Sequence, residues 1–301
     1  MKKPAEGAFP EGMAVGLPRT LYYFTYPGLW EEFFRGLGLM PVPAEPATQQ
    51  KVERAGLLSE SEHCLPMKMF DAHVAELVDR VGTIFVPRVL STLKGHISCP
   101  KLGALPDSAR ALPGLQDKVL CAEINEDKTP LPLMLESLGM RLGRNRTRVR
   151  NAVSRAMEAM DREHFRLSAP SATEGRRMLL LAHPYNLYDP FFSGPVVRKL
   201  QALRVSVAMV PFERKALPPD PIKWDACSQM HHALRRLEAR SVGGVIQISS
   251  FNCGCDSIVG EFHREVLREK KIPFLTLILD EHSSPAGLET RLEAFVDSCG
   301  W

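Results

Sequence analysis

The chain has 301 residues, 45% of them hydrophobic, and a formal net charge of +3. That length is ample for two cores, and the charge is too small and too dispersed to line a nucleic-acid groove. No apolar run approaches the ~20 residues of a membrane helix, and Met1 to Met13 lacks the apolar centre of an export signal, so a cytoplasmic protein is expected.

Residues 1–12 read as a flexible leader. Ala14 to Leu17 is a short strand closed by Pro18-Arg19. Leu29, Trp30, Phe33, Phe34 and Leu37 recur at helical spacing, Gly38 ends that helix, and Leu39 to Val42 is the next strand. Strand, helix, strand opens a parallel α/β unit, with the aromatic residues as its core. Ser59-Glu-Ser-Glu-His-Cys-Leu-Pro-Met-Lys68 then places Cys64 just ahead of a helix with Pro66 in its first turn and an apolar face through Met69, Phe70, Val74 and Leu77. His63 reads as a polar neighbour. Thr83 to Val86 is a strand broken by Pro87-Arg88, and a loop leads to Cys99-Pro-Lys101, stiffened by its proline. Val119 to Ile124 is a further strand, with Cys121 as a small buried hydrophobe in its middle. Pro132 to Leu142 and Arg148 to Phe165 read as helices. The turn-forming run from Ser168 to Gly175 separates an N-terminal α/β domain, 13–167, from a C-terminal one, 168–301.

From Arg177 the rhythm is regular. The strands are Met178 to Ala182, Val205 to Val210, Gly243 to Ile248 and Pro273 to Leu279. Helices follow them at Val196 to Leu203, Asp225 to Arg240, Asp256 to Lys270 and Pro285 to Asp297. Such βα units predict a parallel sheet covered on both faces, with ligands at the carboxyl ends of its strands. The loops at those ends hold His183, Tyr185, Asn186, Asp189, Cys253, Cys255, Asp280, Glu281 and His282. Cys253 and Cys255 lie on a strand-to-helix turn that Asp256 or Ser257 is expected to cap. Backbone N–H groups and the positive end of the helix dipole favour a thiolate there, the form that binds metals or attacks electrophiles. No Gly-x-Gly-x-x-Gly, phosphate loop or Gly-x-Ser-x-Gly elbow occurs, so neither a dinucleotide held in the usual way nor ATP hydrolysis by this chain is expected.

Seven cysteines without an export signal point to reduced thiols, metal ligands or a redox site rather than a disulfide framework. Cys64, Cys99 and the pair Cys253 and Cys255 come from separate loops. An iron–sulfur cluster takes thiolates and ties such loops together. A structural zinc site also takes four thiolates but usually shows paired Cys-x2-Cys knuckles, which are missing. A redox pair at Cys253 and Cys255 would make a strained disulfide. Unrelated buried cysteines describe Cys121, Cys227 and Cys299 well and Cys253-Gly-Cys255 poorly.

In order along the chain come Val15-Gly-Leu-Pro-Arg-Thr-Leu21, Cys64-Leu-Pro-Met-Lys68, Phe85-Val-Pro-Arg88, Cys99-Pro-Lys101, His183-Pro-Tyr-Asn-Leu-Tyr-Asp-Pro190, Phe251-Asn-Cys-Gly-Cys-Asp-Ser257 and Asp280-Glu-His282. These resemble the 2-hydroxyacyl-CoA dehydratase-like family. The nearest branch is a domain found in proteins related to the acyl-CoA dehydratase activase, alone or fused to the ATP-binding activase. The resemblance implies two flavodoxin-like α/β domains with parallel sheets and a low-potential 4Fe–4S cluster at their interface, on cysteines matching Cys64, Cys99 and Cys253. It implies a separate activase-like ATPase as electron donor, and reduction or radical chemistry on a small substrate, such as an acyl-CoA, or on a partner. Cys255 stands where the dehydratases have proline: it fills the open iron site, helps hold a larger cluster or is a bystander. Arg19, Lys68, Arg88 and Lys101 adjoin the motifs and would offset cluster charge, while His183, Tyr185 and Asn186 would line a pocket. No catalytic residue is assigned. A non-catalytic cluster-bearing scaffold and a true dehydratase or reductase are the alternatives, and a homo- or hetero-oligomer is compatible with each.

Overall fold

The computed structural model describes residues 9–168, 177–212, 217–218, 221–283 and 285–300. In chain order the elements begin with β1 (Ala14–Leu17), α1 (Tyr22–Thr25), α2 (Leu29–Gly36), β2 (Met40–Pro43), α3 (Gln49–Leu58), α4 (Leu65–Leu77), β3 (Thr83–Phe85) and β4 (Arg88–Ser91). Then come α5 (Pro100–Ala111), β5 (Val119–Leu120), β6 (Glu123–Asn125), α6 (Leu131–Arg141), α7 (Arg146–Ser168), β7 (Arg177–Leu181), α8 (Pro184–Leu187) and α9 (Gly194–Ala202). The rest are β8 (Ser206–Met209), α10 (Asp225–Arg236), β9 (Gly244–Ser250), α11 (Gly254–Glu269), β10 (Phe274–Leu279) and α12 (Pro285–Ser298). The chain divides into two compact units, residues 1–46 with 70–164 and residues 47–69 with 165–301. Residues 47–69, placed in the N-terminal domain by the sequence reading, thus fall in the second unit. Residues 1–8 of the expected leader, and 169–175 of the expected boundary, lie outside the described residues. Pro10 to Gly12 form a turn whose last N–H donates to Gly38 O at 2.7 Å.

The first unit is built on a parallel sheet in the order β2-β1-β3-β5. Its core is the aromatic cluster read from the sequence. Trp30 and Phe85 rings lie 4.8 Å apart, Trp30 Nε1 donates to Tyr22 O at 3.1 Å, and Tyr22 Oη donates to Phe85 O at 2.5 Å. The buried polar tips are thus satisfied inside the apolar cluster. The strand expected over Val119 to Ile124 is broken at Cys121-Ala122, and its partner is broken at Val86-Pro87. Pro87 has no N–H, so the ladder leaves one sheet there and resumes as the parallel pair β4-β6. Hydrogen bonds from Val86 N to Leu120 O and from Arg88 N to Ala122 O, at 2.9 and 2.8 Å, carry the pairing through the bend. Gly36 lets α2 lie against α7: a Cβ there would stand 2.7 Å from Ala152 Cβ.

The second unit carries the parallel sheet β10-β9-β7-β8, with β9 buried along its whole length. Counted within each unit, both main sheets have the order 2-1-3-4, as in the first four strands of flavodoxin-like folds. Helix α3, unassigned by the sequence reading, starts at Thr48, whose Oγ1 accepts from Lys51 N at 3.2 Å. In such sheets ligands collect where strand order reverses, at the carboxyl ends of the first and third strands. In the second unit these are β7 and β9, and His183 and Cys253 lie in the turns just past their ends.

Candidate metal and cofactor site

The three thiols singled out by the sequence share one local setting. Cys99 and Cys253 are the N-cap residues of α5 and α11, and neither side chain caps its own helix. Cys64 directly precedes α4, and its carbonyl accepts from Lys68 N at 3.1 Å, the first helical bond. Cys99 and Cys253 also correspond topologically, each following the third strand of its unit's main sheet and opening the next helix. Pro66 and Pro100 in the first turns of their helices cost no hydrogen bond there, because those N–H groups have no helical partner.

Within the second unit, Cys253 joins a buried polar centre. His183 follows β7, and its Nε2 lies 3.1 Å from Asp256 Oδ1, 3.8 Å from Cys227 Sγ and 4.0 Å from Cys253 Sγ. Cys227 Sγ is also 3.9 Å from Asp256 Oδ1, and Ser249 Oγ donates to Asp256 Oδ2 at 2.7 Å. The Tyr185 ring stacks on His183 at 5.0 Å, and Asn186 Nδ2 donates to Ser250 Oγ at 3.1 Å. Behind this layer His263 Nδ1 meets Gln247 Oε1 at 3.1 Å, and its ring stacks on His231.

The electrostatics follow from burial and charge. Burial disfavours the His183 imidazolium, but Tyr185, the Asp256 carboxylate and Cys227 around the ring outweigh it and hold that pKa well above its ordinary value. Burial pushes the Asp256 carboxyl up, yet His183 and the hydrogen bonds from His183 and Ser249 keep it below the usual range. Burial also raises the Tyr185 phenol, with Cys253 and Cys64 adding to it and the charge of His183 opposing it, so both sulfurs act on that ring. The Cys227 thiol is pushed up to about 11, chiefly by burial. His263 is held down to about 4 by burial and by His231.

The remaining expected residues are placed as follows. Cys255 occupies the second position of α11 and is buried. Asp256, expected as a cap, is the third residue of that helix and turns inward to His183. Cys227, set aside as a buried hydrophobe, faces the same centre. Lys68 is buried and paired with Glu281, so its charge is already answered. Asp280 accepts from His282 N and Ser283 Oγ, both at 2.9 Å, fixing the loop after β10. Arg19, Cys99 and Lys101 belong to the first unit and are half-buried. Arg88, also there, is held by Gly103 O and Asp107. A cavity of 630 Å³ opens in the second unit between Leu65, the neighbour of Cys64, and Phe191, Phe192, Arg198, Leu279 and Leu288.

The model of the family described as the CoA enzyme activase uncharacterised domain (DUF2229) matches residues 14–211. The chain belongs to that family. The match runs from β1 past β8, taking in Cys64, Cys99 and His183 and stopping short of β9 and Cys253. The activase-related domain therefore covers the first unit from β1 onward, together with residues 47–69 and the opening strands of the second. No curated protein matches the chain. Among the described residues, no helix is long and apolar enough to cross a membrane.

Proposed function

We propose that this activase-related chain is an iron–sulfur protein that accepts electrons from an ATP-dependent activase, with Cys64, Cys99 and Cys253 as ligands of a 4Fe–4S cluster. The observation that carries the reading is the shared placement of those thiols. Each immediately precedes a helix of 13, 12 or 16 residues, where unpaired N–H groups and the dipole favour an anionic sulfur. The donor set fits such a group: thiols lead it, and in the second unit the side chain of Cys253 is not engaged in capping. When bound, the cluster supplies one-electron chemistry at low potential.

The chain's own residues set the surroundings. His183, kept protonated by Asp256, places positive charge 4.0 Å from the Cys253 sulfur. Tyr185 shields the imidazole face from water. Cys255 is the weaker candidate for a fourth ligand, because it lies inside α11, two residues past the N-cap position that Cys253 occupies. The cavity beside Leu65 favours a second reading, chemistry on a small acyl group, since 630 Å³ lies in the range of small-molecule sites.

Anaerobic reconstitution with iron and sulfide, followed by electron paramagnetic resonance after mixing with an activase-like ATPase and ATP, tests the main reading. A reduced-cluster signal that depends on ATP is expected. A cluster that the ATPase cannot reduce would leave only the scaffold reading. Added acyl-CoA compounds should perturb the spectrum if the second reading holds, and indifference to every thioester counts against it.

A further inference from the structure

A carboxylate oxygen and two sulfurs crowd one nitrogen. Asp256 Oδ1, Cys227 Sγ and Cys253 Sγ all approach Nε2 of His183, at 3.1, 3.8 and 4.0 Å. A ring nitrogen carries at most one proton and serves one acceptor well. The carboxylate takes that proton and also accepts from the Cys227 thiol at 3.9 Å, so both sulfurs face the same point without the imidazole proton. A divalent cation at the centre of the group would displace the protons of His183 Nε2 and the Cys227 thiol to solvent and serve every donor at once.

The spacing agrees with that. Donors held at the usual distances from one tetrahedral zinc-type ion lie about 3.3 to 3.8 Å from one another. Here the three distances from His183 Nε2, and the 3.9 Å from Cys227 Sγ to Asp256 Oδ1, run from 3.1 to 4.0 Å. His183 Nε2, Cys253 Sγ and an Asp256 carboxylate oxygen lie within 4.8 Å of one another. The other carboxylate oxygen, Oδ2, is occupied by Ser249 Oγ at 2.7 Å, which leaves Oδ1 for the centre. Ligating carboxylates are commonly fixed by such an outer hydrogen bond. His183 and Asp256 are each 5% exposed and Cys227 is fully buried, so water cannot answer their charge.

We propose that His183, Cys227 and Asp256 form a mononuclear site for a divalent transition metal of the zinc type, with the Cys253 sulfur on its remaining side. The mixed nitrogen, sulfur and oxygen set selects borderline metals over magnesium or calcium, which take oxygen alone. The donors stand at the end of β7, within α10 and on the first turn of α11, so packed elements hold the geometry. Cys253 is common to this centre and to the cluster reading; the other three residues are not.

The test is titration of the full chain, chelator-treated and kept reduced, with Co2+. One cobalt per chain is expected, with tetrahedral d–d absorption and sulfur-to-cobalt charge transfer that Zn2+ abolishes by displacement. Cys227→Ser and Asp256→Asn should each weaken cobalt binding at least about tenfold, and Ser249→Ala about 10- to 100-fold without removing a ligand. Cys64→Ser and Cys99→Ser, which dismantle the proposed cluster, should leave the cobalt spectrum in place, so the two readings fail separately. Absence of stoichiometric cobalt would overturn the site. So would a spectrum lost with Cys64 or Cys99, or one unmoved by Cys227→Ser and Asp256→Asn. Should those two variants fail to fold, an unchanged affinity in Ser249→Ala decides against it.

Discussion

His183 Nε2 and Asp256 Oδ1 stand 3.1 Å apart with both side chains almost wholly buried. One residue follows β7 and the other lies on the helix after β9, so the pair ties together the two loops at the strand-order reversal of the second unit. Each charge is tolerated there because of the other.

Removing one partner should therefore leave an uncompensated buried charge. Asp256→Asn is expected to destabilise the chain by about 3–5 kcal/mol, and the double variant His183→Gln, Asp256→Asn by less than the sum of the single changes. Urea denaturation of the four proteins measures this. Additive losses would show that the pair is not coupled.

The pH dependence of the metal-free chain has a definite sign. The pKa of His263 is pushed from 6.5 down to about 4 in the folded state. Between those values the unfolded chain binds a proton that the folded chain refuses, so stability falls as pH drops through that window, by on the order of 3 kcal/mol. His183, raised above 6.5, contributes fully below that value and loses its contribution only as pH rises. Asp256, lowered below 3.8, loses its contribution only in stronger acid. Glu11 and Glu281, lowered from 4.5, begin to lose their contributions only below that value, so the slope between pH 6.5 and 4.5 is assigned to His263, and His263→Gln should flatten it in denaturation curves of chelator-treated protein. A slope unchanged by that substitution contradicts the assignment.

Two glycines in helices should respond oppositely to alanine. Gly36→Ala puts a methyl group 2.7 Å from Ala152 Cβ and should cost about 1–3 kcal/mol by forcing α2 and α7 apart. Gly260, within α11, has nothing within 4 Å of its added Cβ, and Gly260→Ala should stabilise by up to about 1 kcal/mol. Thermal melts of both variants make the comparison. Equal effects would mean that the α2–α7 approach does not require glycine.

The alternation of strands and helices was legible because buried parallel strands read as continuous apolar runs, as in Met178 to Ala182 and Gly243 to Ile248. Helix α5 was not, because Pro106 lies inside its pattern and Cys99-Pro reads as a loop. The break at Cys121 was hidden because only its neighbour strand carries the proline that forces it. At the site, Cys253 and His183 announced themselves by standing at strand ends. Asp256 looked like a helix cap and Cys227 like core, because the convergence of residues 183, 227, 249 and 256 is set by tertiary packing. A cysteine facing inward from the start of α10 was the one available signal for Cys227.

The central claim is that Cys64, Cys99 and Cys253 hold one cluster, and the most direct measurement is iron and acid-labile sulfide per chain after anaerobic purification. The intact protein should contain about four irons and matching sulfide. Cys64→Ser, Cys99→Ser and Cys253→Ser should each lose most of both while keeping their far-ultraviolet circular dichroism. Full iron and sulfide in a folded Cys99→Ser chain would contradict the account.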